Sequence, residues 1–210
     1  MRVSTIVNGK WRQNCHIVAD DEGNAIVVDP GSECERIAAE LDANQWRIAA
    51  IVNTHAHYDH VGAVAPLQER CGAPFYLHGA DAALLKRANL YRMLFESNEP
   101  VRIPSISHDI SGLPSTFEIG SFSISWIATP GHTEGSVCLL LDNMLFSGDT
   151  LMHNAIGRTD LPGGNPDRLM ASVRKLMELP GETLVYAGHG PRTTLATEFA
   201  PGSRIWELLQ

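Results

Sequence analysis

Four residues of types that bind metal ions fall within six positions of this chain. They are His55, His57, Asp59 and His60, and they follow the continuous apolar run 48–52. Side chains alternate along a strand, so His55 and His57 should point to the same side at its end. A turn into a helix can aim the next two residues at the same point. Imidazoles and carboxylates suit Zn²⁺, Mn²⁺ or Fe²⁺, and the pattern therefore predicts a metal site rather than a polar surface loop.

Three more His or Asp residues stand just after predicted strands, and each is preceded by glycine. They are His132, Asp149 and His189. Glycine has no side chain, so the backbone can approach a crowded centre closely. Each position alone is a weak signal. Their shared place at strand ends predicts that they join the first four residues in one site.

With these motifs the sequence resembles the metallo-β-lactamase-fold hydrolases, and more closely their small glyoxalase II-like (hydroxyacylglutathione hydrolase-like) members. The resemblance runs from Asn14-Cys15 through Asp29-Pro30-Gly31 to Gly188-His189-Gly190-Pro191. Its most specific part is the HxHxDH motif with a distant His, Asp and His. The resemblance implies an α/β (α+β) fold, a four-layer αββα sandwich with metals at one edge of two sheets. Residues 1–210 would form one such domain.

The same resemblance implies two divalent metal ions, Zn²⁺ in the first place and iron or manganese as alternatives. Position by position, the first metal would be held by His55, His57 and His132, the second by Asp59, His60 and His189, and Asp149 would bridge both. Asp59 would also be catalytic, because it could orient the nucleophile. An aspartate at position 149 differs from the cysteine that many of the best-known zinc β-lactamases have there.

The chemistry that this centre implies is hydrolysis of an acyl bond. Two metals about 3.5 Å apart can share a water and lower its pKa, and the metal-bridging hydroxide would attack a carbonyl. A thioester suits such a site because a thiolate leaves without a dedicated general acid. The resemblance thus implies a thioester such as S-lactoylglutathione. Only 21 residues follow His189, so we expect no C-terminal helical region of the kind that helps longer glyoxalase II enzymes hold glutathione.

Other functions stay open at this point. Persulfide dioxygenases are similar and use one iron, at positions that match His55, His132 and Asp149, a two-histidine, one-carboxylate arrangement. A lactonase or other small-ester hydrolase would use the same hydroxide on another substrate. A binding module that had kept only the fold should have lost ligands, and all seven positions are filled.

Three side chains near the motifs are candidates for contact with a small-molecule substrate. Tyr58 lies inside the metal motif, His153 comes four positions after Asp149, and Arg158 lies in the segment 156–164. That segment resembles a stretch of the small glyoxalase-like enzymes and persulfide dioxygenases. The alternatives are structural: an ion pair between Arg158 and Asp160, and packing of Tyr58 and His153.

Strands and helices in mixed order must position these residues. Strands are predicted over 3–7, 16–19, 25–28, 48–52, 74–77, 122–128, 137–141, 144–146 and 183–186, and helices over 32–44, 61–70, 80–90 and 166–179. Ser32 is the predicted N-cap of the first helix, with Glu35 in a capping box. Residues 91–115 hold several prolines and predict a long loop. Its residues Tyr91, Met93 and Phe95 could cover the site, and the alternative, given their helical spacing, is that they pack in the core. The mixed order favours two sheets with helices outside.

The overall composition argues against several classes of protein. No apolar run approaches the roughly 20 residues that cross a bilayer, and the first residues lack a signal-peptide core, so we expect a cytoplasmic protein. The formal net charge is −8 and no basic stripe is present, which argues against nucleic acid as a partner. The four cysteines are widely spaced without a CxxC pair, which predicts free cysteines, buried like small apolar residues, rather than disulfides.

Overall fold

The computed structural model describes residues 1–96 and 99–210, and within them twelve strands form two six-stranded sheets. The first sheet consists of β1 (Arg2–Asn8), β2 (Gln13–Ala19), β3 (Asn24–Val28), β4 (Arg47–Val52), β5 (Phe75–Leu77) and β6 (His108–Asp109). The second consists of β7 (Thr116–Ile119), β8 (Phe122–Ala128), β9 (Val137–Leu141), β10 (Met144–Gly148), β11 (Leu184–Ala187) and β12 (Thr193–Thr194).

The strand directions put several strand ends at one edge. In the first sheet β1, β2 and β3 pair antiparallel, whereas β3, β4, β5 and β6 pair parallel. In the second sheet β10 and β11 are parallel, and the other neighbours are antiparallel. Since β8 and β10 both run antiparallel to β9, the carboxyl ends of β8, β10 and β11 lie at the same edge.

Eight α-helices connect or follow these strands in the described residues. They are α1 (Cys34–Ala43), α2 (Tyr58–Val61), α3 (Val64–Cys71), α4 (Ala82–Lys86), α5 (Ala88–Phe95), α6 (Pro166–Leu176), α7 (Leu195–Glu198) and α8 (Arg204–Leu209). None of them has the length and apolar character of a membrane-spanning helix. The four cysteines are free. Cys15 and Cys138 are buried like small apolar residues, whereas Cys34 is half-buried and Cys71 is exposed, so the expectation of four buried cysteines is wrong for these two.

The core has three apolar layers, because each central strand sends alternate side chains to opposite faces. Between the sheets, Val18 and Ile26 meet Ile124 and Leu139. Such interior side chains exclude water from both sheet faces, which is the main favourable term in folding.

Each sheet also buries its outer face under helices. Ile17 and Val27 of the first sheet share a cluster with Ile37 of α1 and Leu67 of α3. On the far side, the cluster of Cys138, Leu145 and Val185 includes Leu169 and Val173 of α6 and Ile205 of α8, all fully buried. The layer order is therefore αββα, and the fold class predicted from the sequence is confirmed.

The start of α1 differs from the sequence-based prediction. Its N-cap is Glu33, which has a left-handed backbone (φ 53°) and makes no side-chain capping bond. Helical residues begin only at Cys34. The predicted capping box of Ser32 and Glu35 is therefore wrong, because the helix begins one residue later than a Ser32 cap requires.

The single helix predicted over 61–70 is two helices, α2 and α3. The backbone N–H of Ala63 donates to the carbonyl of Pro30 at 2.9 Å, which diverts a helical hydrogen bond to the preceding turn. A Cβ at Gly62 would lie 2.2 Å from the carbonyl oxygen of Gly31, so close contact with that turn requires glycine here. As a result the first helix begins at Tyr58, three residues earlier than predicted.

The region predicted as helix 80–90 and loop 91–115 also differs. It contains α4 and then α5, which continues to Phe95. Tyr91 is buried in the core, and its ring lies 6.5 Å from that of Phe95, one helical turn along. This packing keeps residues 91–95 helical, although the prolines that follow them in the sequence predicted a loop. The remainder of the predicted loop contains β6 and a 3₁₀ turn, Ile110–Gly112, and residues 97 and 98 lie outside the described residues.

Candidate metal centre and active site

All seven predicted ligands lie at one edge shared by the two sheets. His55 and His57 follow β4, Asp59 and His60 lie in α2, His132 follows β8, Asp149 follows β10, and His189 follows β11. Backbone hydrogen bonds join the sheets here. The N–H of Asn14 donates to the carbonyl of Gly188 at 2.7 Å, and the N–H of Val137 donates to that of Thr54 at 2.9 Å. These bonds fix the strand ends, and hence the seven side chains, relative to one another.

The side chains form two groups of three. In the first, one ligand atom from each of His55, His57 and His132 lies within 4.8 Å of the others, and all three residues are buried. The second group, Asp59, His60 and His189, meets the same criterion. These are the two triads that the sequence predicts.

Asp149 lies between the two groups. Its Oδ1 is 3.6 Å from Nε2 of His60. Its Oδ2 is 3.4 Å from Nε2 of His132 and 3.7 Å from Nε2 of His189. One carboxylate thus contacts members of both triads, which is the position that a bridging ligand needs.

Hydrogen bonds to the outer ring nitrogens determine which nitrogen of His132 and of His189 faces inward. Nδ1 of His132 lies 2.8 Å from the carbonyl of Arg158, and Nδ1 of His189 lies 3.0 Å from the carbonyl of Trp11. A carbonyl can only accept, so each Nδ1 must carry the proton. The neutral imidazole then presents the Nε2 lone pair to the centre.

Asp29 orients two further imidazole rings, that of His60 directly and that of His55 through Thr54. Its Oδ2 accepts from the hydroxyl of Thr54 at 2.7 Å and lies 3.1 Å from Nδ1 of His60. Because the Thr54 proton is given to Asp29, the Thr54 oxygen is free to accept from Nδ1 of His55, 3.0 Å away. In the sequence, Asp29 stands out only as part of the Asp29-Pro30-Gly31 segment of the family resemblance, and that segment does not indicate this role.

The centre contains five buried polar atoms that have no hydrogen-bond partner among the described residues: Nε2 of His55, His57, His60 and His132, and Oδ1 of Asp149. Leaving a buried polar atom unsatisfied costs about 1–3 kcal/mol. Five such atoms converging on one place would be costly unless a cation satisfies them. The donor set, imidazole nitrogens with carboxylate oxygens, fits Zn²⁺, Fe²⁺ or Mn²⁺.

The electrostatics of the site favour positive charge between the triads. Burial lowers the pKa of His57 to about 3 and that of His55 well below its ordinary value. Burial also acts against a charged His60, but the carboxylates of Asp59, Asp149 and Asp29 outweigh it and raise its pKa to about 9. The carboxylates that stabilise the proton on His60 would equally stabilise a divalent cation at the same place.

Asp81 is a second residue that the sequence analysis missed. Its buried carboxylate accepts from the N–H of Ala56 at 2.9 Å, between the first two histidines of the motif. It also accepts from the Thr133 hydroxyl at 2.9 Å and from the Gly135 N–H at 2.7 Å. Asp81 thus joins the loop of His55 and His57 to the loop of His132. No motif marks it, because its partners are distant in the chain.

A cavity of about 340 Å³ opens above the centre. Its lining includes five of the predicted ligands: His57, Asp59, His132, Asp149 and His189. Tyr58 and Arg158 also line it, and so do Tyr91 and Phe95 of α5. The volume falls in the range of small-molecule sites.

His153 does not belong to this lining, so the prediction that it lines the pocket is corrected. Its Nδ1 lies 2.9 Å from Oε1 of Glu198, a fully buried carboxylate of α7. The same carboxylate accepts from the N–H of Asn154 at 2.8 Å and the hydroxyl of Thr193 at 2.6 Å. Glu198 therefore turns the His153 side chain towards the C-terminal helices.

Arg158 makes the ion pair that the sequence analysis gave as its structural alternative. Its Nε and Nη2 each donate to one oxygen of Asp160 at 2.7 Å. The bond lowers the pKa of Asp160 to about 2. Both side chains are more than half exposed, so the pair contributes little to stability. It does fix the direction of the guanidinium at the rim of the cavity.

The family of the chain follows from comparison with known proteins. The model of the metallo-beta-lactamase superfamily matches residues 8–189, which include all seven predicted ligands. The chain belongs to the metallo-β-lactamase superfamily. Relatives in Bacillus subtilis and Streptococcus pyogenes are named probable metallo-hydrolases.

Two relatives of this superfamily are similar over almost their whole length. The probable metallo-hydrolase YqgX of Bacillus subtilis (strain 168) is 37% identical, over 90% of this chain and 94% of the relative. Hydroxyacylglutathione hydrolase GloC of Haemophilus influenzae is 31% identical, over 94% of this chain and 95% of the relative.

Solved structures of the superfamily superpose closely. BLEG-1 B3 metallo-beta-lactamase has a TM-score of 0.88 and 34% identity, covering 94% of this chain and 96% of that one. TTHA1623 in a di-iron-bound form has a TM-score of 0.84 and 36% identity, with coverage of 94% and 97%. ETHE1 from Myxococcus xanthus has a TM-score of 0.77 and 26% identity, with coverage of 97% and 85%.

Within this metallo-β-lactamase fold, the metal centre leaves no space for a side chain at Gly188. A Cβ there would lie 2.4 Å from Oδ1 of Asp149 and 2.6 Å from Cε1 of His60. Gly188→Ala should therefore displace both side chains and weaken metal binding by roughly tenfold or more. Titration with a chromophoric metal chelator measures this.

Gly112→Ala is the matched control for that change. A Cβ at Gly112 meets no atom within 4 Å, and the residue is exposed. Its metal affinity should equal that of the unmodified protein. Equal affinities in both variants would show that the backbone at 188 does not shape the centre.

Proposed function

We propose that this chain is a metal-dependent hydrolase of thioesters, similar to the hydroxyacylglutathione hydrolases, with two divalent ions, Zn²⁺ first among them. The observation that carries the proposal is the pair of triads with Asp149 between them, at the floor of a cavity large enough for a small molecule. The likeness to GloC over nearly the whole chain supports the thioester. Zinc is favoured by the number of imidazole donors, and the di-iron form of TTHA1623 keeps iron as an alternative.

The residues would divide between the metals as the sequence predicts. His55, His57 and His132 would hold one ion, Asp59, His60 and His189 the other, and Asp149 would contact both. Two such ions would lower the pKa of a shared water and polarise the carbonyl of a bound substrate. The outer hydrogen bonds of Asp29, Thr54 and two backbone carbonyls would keep the imidazoles in the required tautomer.

Asp59 is the side chain best placed to act on the attacking water. Its Oδ2 is 3.4 Å from Nε2 of His189, and the carboxylate lies on the cavity wall. Burial would raise its pKa, but His60 and His189 outweigh burial and hold the pKa well below its usual range. Asp59 is therefore ionised at neutral pH. It can accept a hydrogen bond that orients the water, and it cannot serve as a general acid.

Metal removal and reloading test the proposal. Dialysis against a strong chelator should lower thioester hydrolysis by at least about 100-fold, and two equivalents of Zn²⁺ per chain should restore it. The reloaded protein is then assayed on S-lactoylglutathione, other thioesters, a lactone and a β-lactam. The β-lactam is included because BLEG-1 is similar to this chain. A highest kcat/KM on a lactone or β-lactam would contradict the thioester assignment, and activity that survives metal removal would contradict the mechanism.

A mononuclear-iron persulfide dioxygenase is the second candidate function. The likeness to ETHE1, at 26% identity, favours it. His55, His132 and Asp149 would supply two histidines and one carboxylate to the iron. Metal analysis with oxygen uptake on glutathione persulfide separates the two functions. One iron per chain together with oxygen consumption would replace the hydrolase proposal.

A further inference from the structure

Four aromatic side chains line the cavity, and we refer to them as the aromatic wall. This aromatic wall consists of Trp11 in the turn after β1, Tyr58 at the start of α2, and Tyr91 and Phe95 of α5. The rings of Tyr91 and Phe95 are parallel, with their centroids 6.5 Å apart. The wall therefore consists of three separate segments of the chain at the mouth of the site, and two of them, the turn after β1 and α5, carry its exposed members.

Lys10 ties these two segments together from outside. Its Nζ donates to the carbonyl of Phe95 at 3.4 Å and lies 5.7 Å from the centre of the Trp11 ring. Tyr58 and Tyr91 are buried, whereas Trp11 is 45% exposed and Phe95 is 38% exposed. Two large apolar side chains thus stay partly in water at the cavity mouth, where a bound group could cover them.

The charges of the lining favour an uncharged group at this wall. Among the described residues that line the cavity, Arg158 is the one Arg or Lys, and its guanidinium is engaged by both oxygens of Asp160. Met152 and Leu161 add apolar surface to the same cavity. Within this lining, the carboxylates of a glutathionyl tail would find no cation other than Arg158, and the Lys10 ammonium lies outside the lining, beside the Trp11 ring. An apolar ring would find aromatic and aliphatic contacts.

We propose that the aromatic wall makes this enzyme selective for thioesters that carry an apolar, ring-sized group, ahead of those of glutathione. The proposal rests on the thioester hydrolase function proposed above and specifies its substrate class. Burying a ring against the wall removes apolar surface of both partners from water. Contact with Trp11 and Phe95 would therefore add to the binding of such substrates and leave small acyl groups unaffected.

Pairs of substrates that differ in one group test the selectivity. Phenylacetyl- and acetyl-N-acetylcysteamine differ on the acyl side, and the thioacetates of benzyl mercaptan and methanethiol differ on the thiol side. In at least one pair the ring should raise kcat/KM about tenfold or more, and this ring-bearing thioester should exceed S-lactoylglutathione. Ratios below about twofold in both pairs, or a preference for S-lactoylglutathione, would overturn the proposal.

Variants of the wall locate the effect. Trp11→Ala and Phe95→Ala should each lower the ring-to-methyl ratio of kcat/KM by about fivefold or more. Because both substrates are measured on the same preparation, differences in folding or metal content cancel in that ratio. Trp11→Ala also keeps the carbonyl that accepts from His189. Leu94→Ala is the control, since Leu94 lies on the same helix, is 62% exposed and is not part of the lining.

Binding of an unreactive thioether separates failure of this proposal from failure of the proposed function. Calorimetry with the benzyl thioether of N-acetylcysteamine should show binding to the metal-loaded protein that Trp11→Ala weakens about fivefold or more and Leu94→Ala leaves unchanged. This result without any thioester hydrolysis would contradict the proposed function and support the wall. Thioester hydrolysis with thioether binding that is equal in all three proteins would contradict the wall and support the function.

Discussion

Asp149→Ala should lower kcat/KM for thioester hydrolysis by roughly 1000-fold or more. Groups that only hydrogen-bond to metal ligands typically contribute about 10- to 100-fold, and Asp149 lies within direct contact of both triads. Removal of its carboxylate also leaves the imidazoles of His60, His132 and His189 without the negative charge between them. Bound metal should fall below two ions per chain, which elemental analysis of the dialysed variant measures alongside the kinetics.

Asp21→Ala is the control for this substitution. Asp21 is exposed in the turn between β2 and β3, on a different part of the molecule from the centre. Both its activity and its metal content should equal those of the unmodified protein. An Asp149→Ala variant that retained turnover would refute the two-metal mechanism. A variant that lost turnover but kept both ions would limit Asp149 to a role other than holding metal.

Asp81→Ala should lower the free energy of unfolding by about 3–5 kcal/mol. The substitution leaves two backbone N–H groups and one hydroxyl unsatisfied in the interior, and each costs about 1–3 kcal/mol. The carboxylate is almost fully buried, and burial raises its pKa. Urea unfolding in the presence of chelator measures the change, because metal binding then adds nothing to the stability of the folded state.

Asp109→Ala is a closely matched control for the Asp81 substitution. The carboxylate of Asp109 also accepts three hydrogen bonds, from the N–H of Gly79 and from the N–H and hydroxyl of Ser111. Asp109 is exposed, so water can replace its carboxylate, and the loss should be about 1 kcal/mol or less. Equal losses in the two variants would mean that Asp81 does not join the two ligand loops in the way its contacts indicate.

Asp81→Ala should also weaken metal binding. The loop of His55 and His57 and the loop of His132 would lose their shared anchor, and the three imidazoles would no longer be held within 4.8 Å of one another. A loss of about 10- to 100-fold in affinity is expected. Metal affinity that is unchanged despite a large loss of stability would make Asp81 purely structural.

Local patterns were sufficient to predict most of the framework. The strands β8 and β9 have the predicted bounds, 122–128 and 137–141, because their β-branched and apolar residues lie between clear turns. The elements that were predicted wrongly differ from the prediction because of tertiary contacts. The helix predicted over 61–70 is broken where Ala63 donates to Pro30, and α5 extends to Phe95 because Tyr91 packs in the core. Neither contact is visible from neighbouring residues.

The sequence by itself determined the ligand types and their places at strand ends, since His55, His57, Asp59 and His60 form a dense local motif. Only the tertiary structure brought His132, Asp149 and His189 to that motif, since the distances depend on the packing of two sheets. It also decided which ring nitrogens face inward, because their partners, such as Asp29 for His60 and the carbonyl of Trp11 for His189, come from distant segments. The aromatic wall has the same origin, because Trp11 and Phe95 come to line the same cavity only after folding.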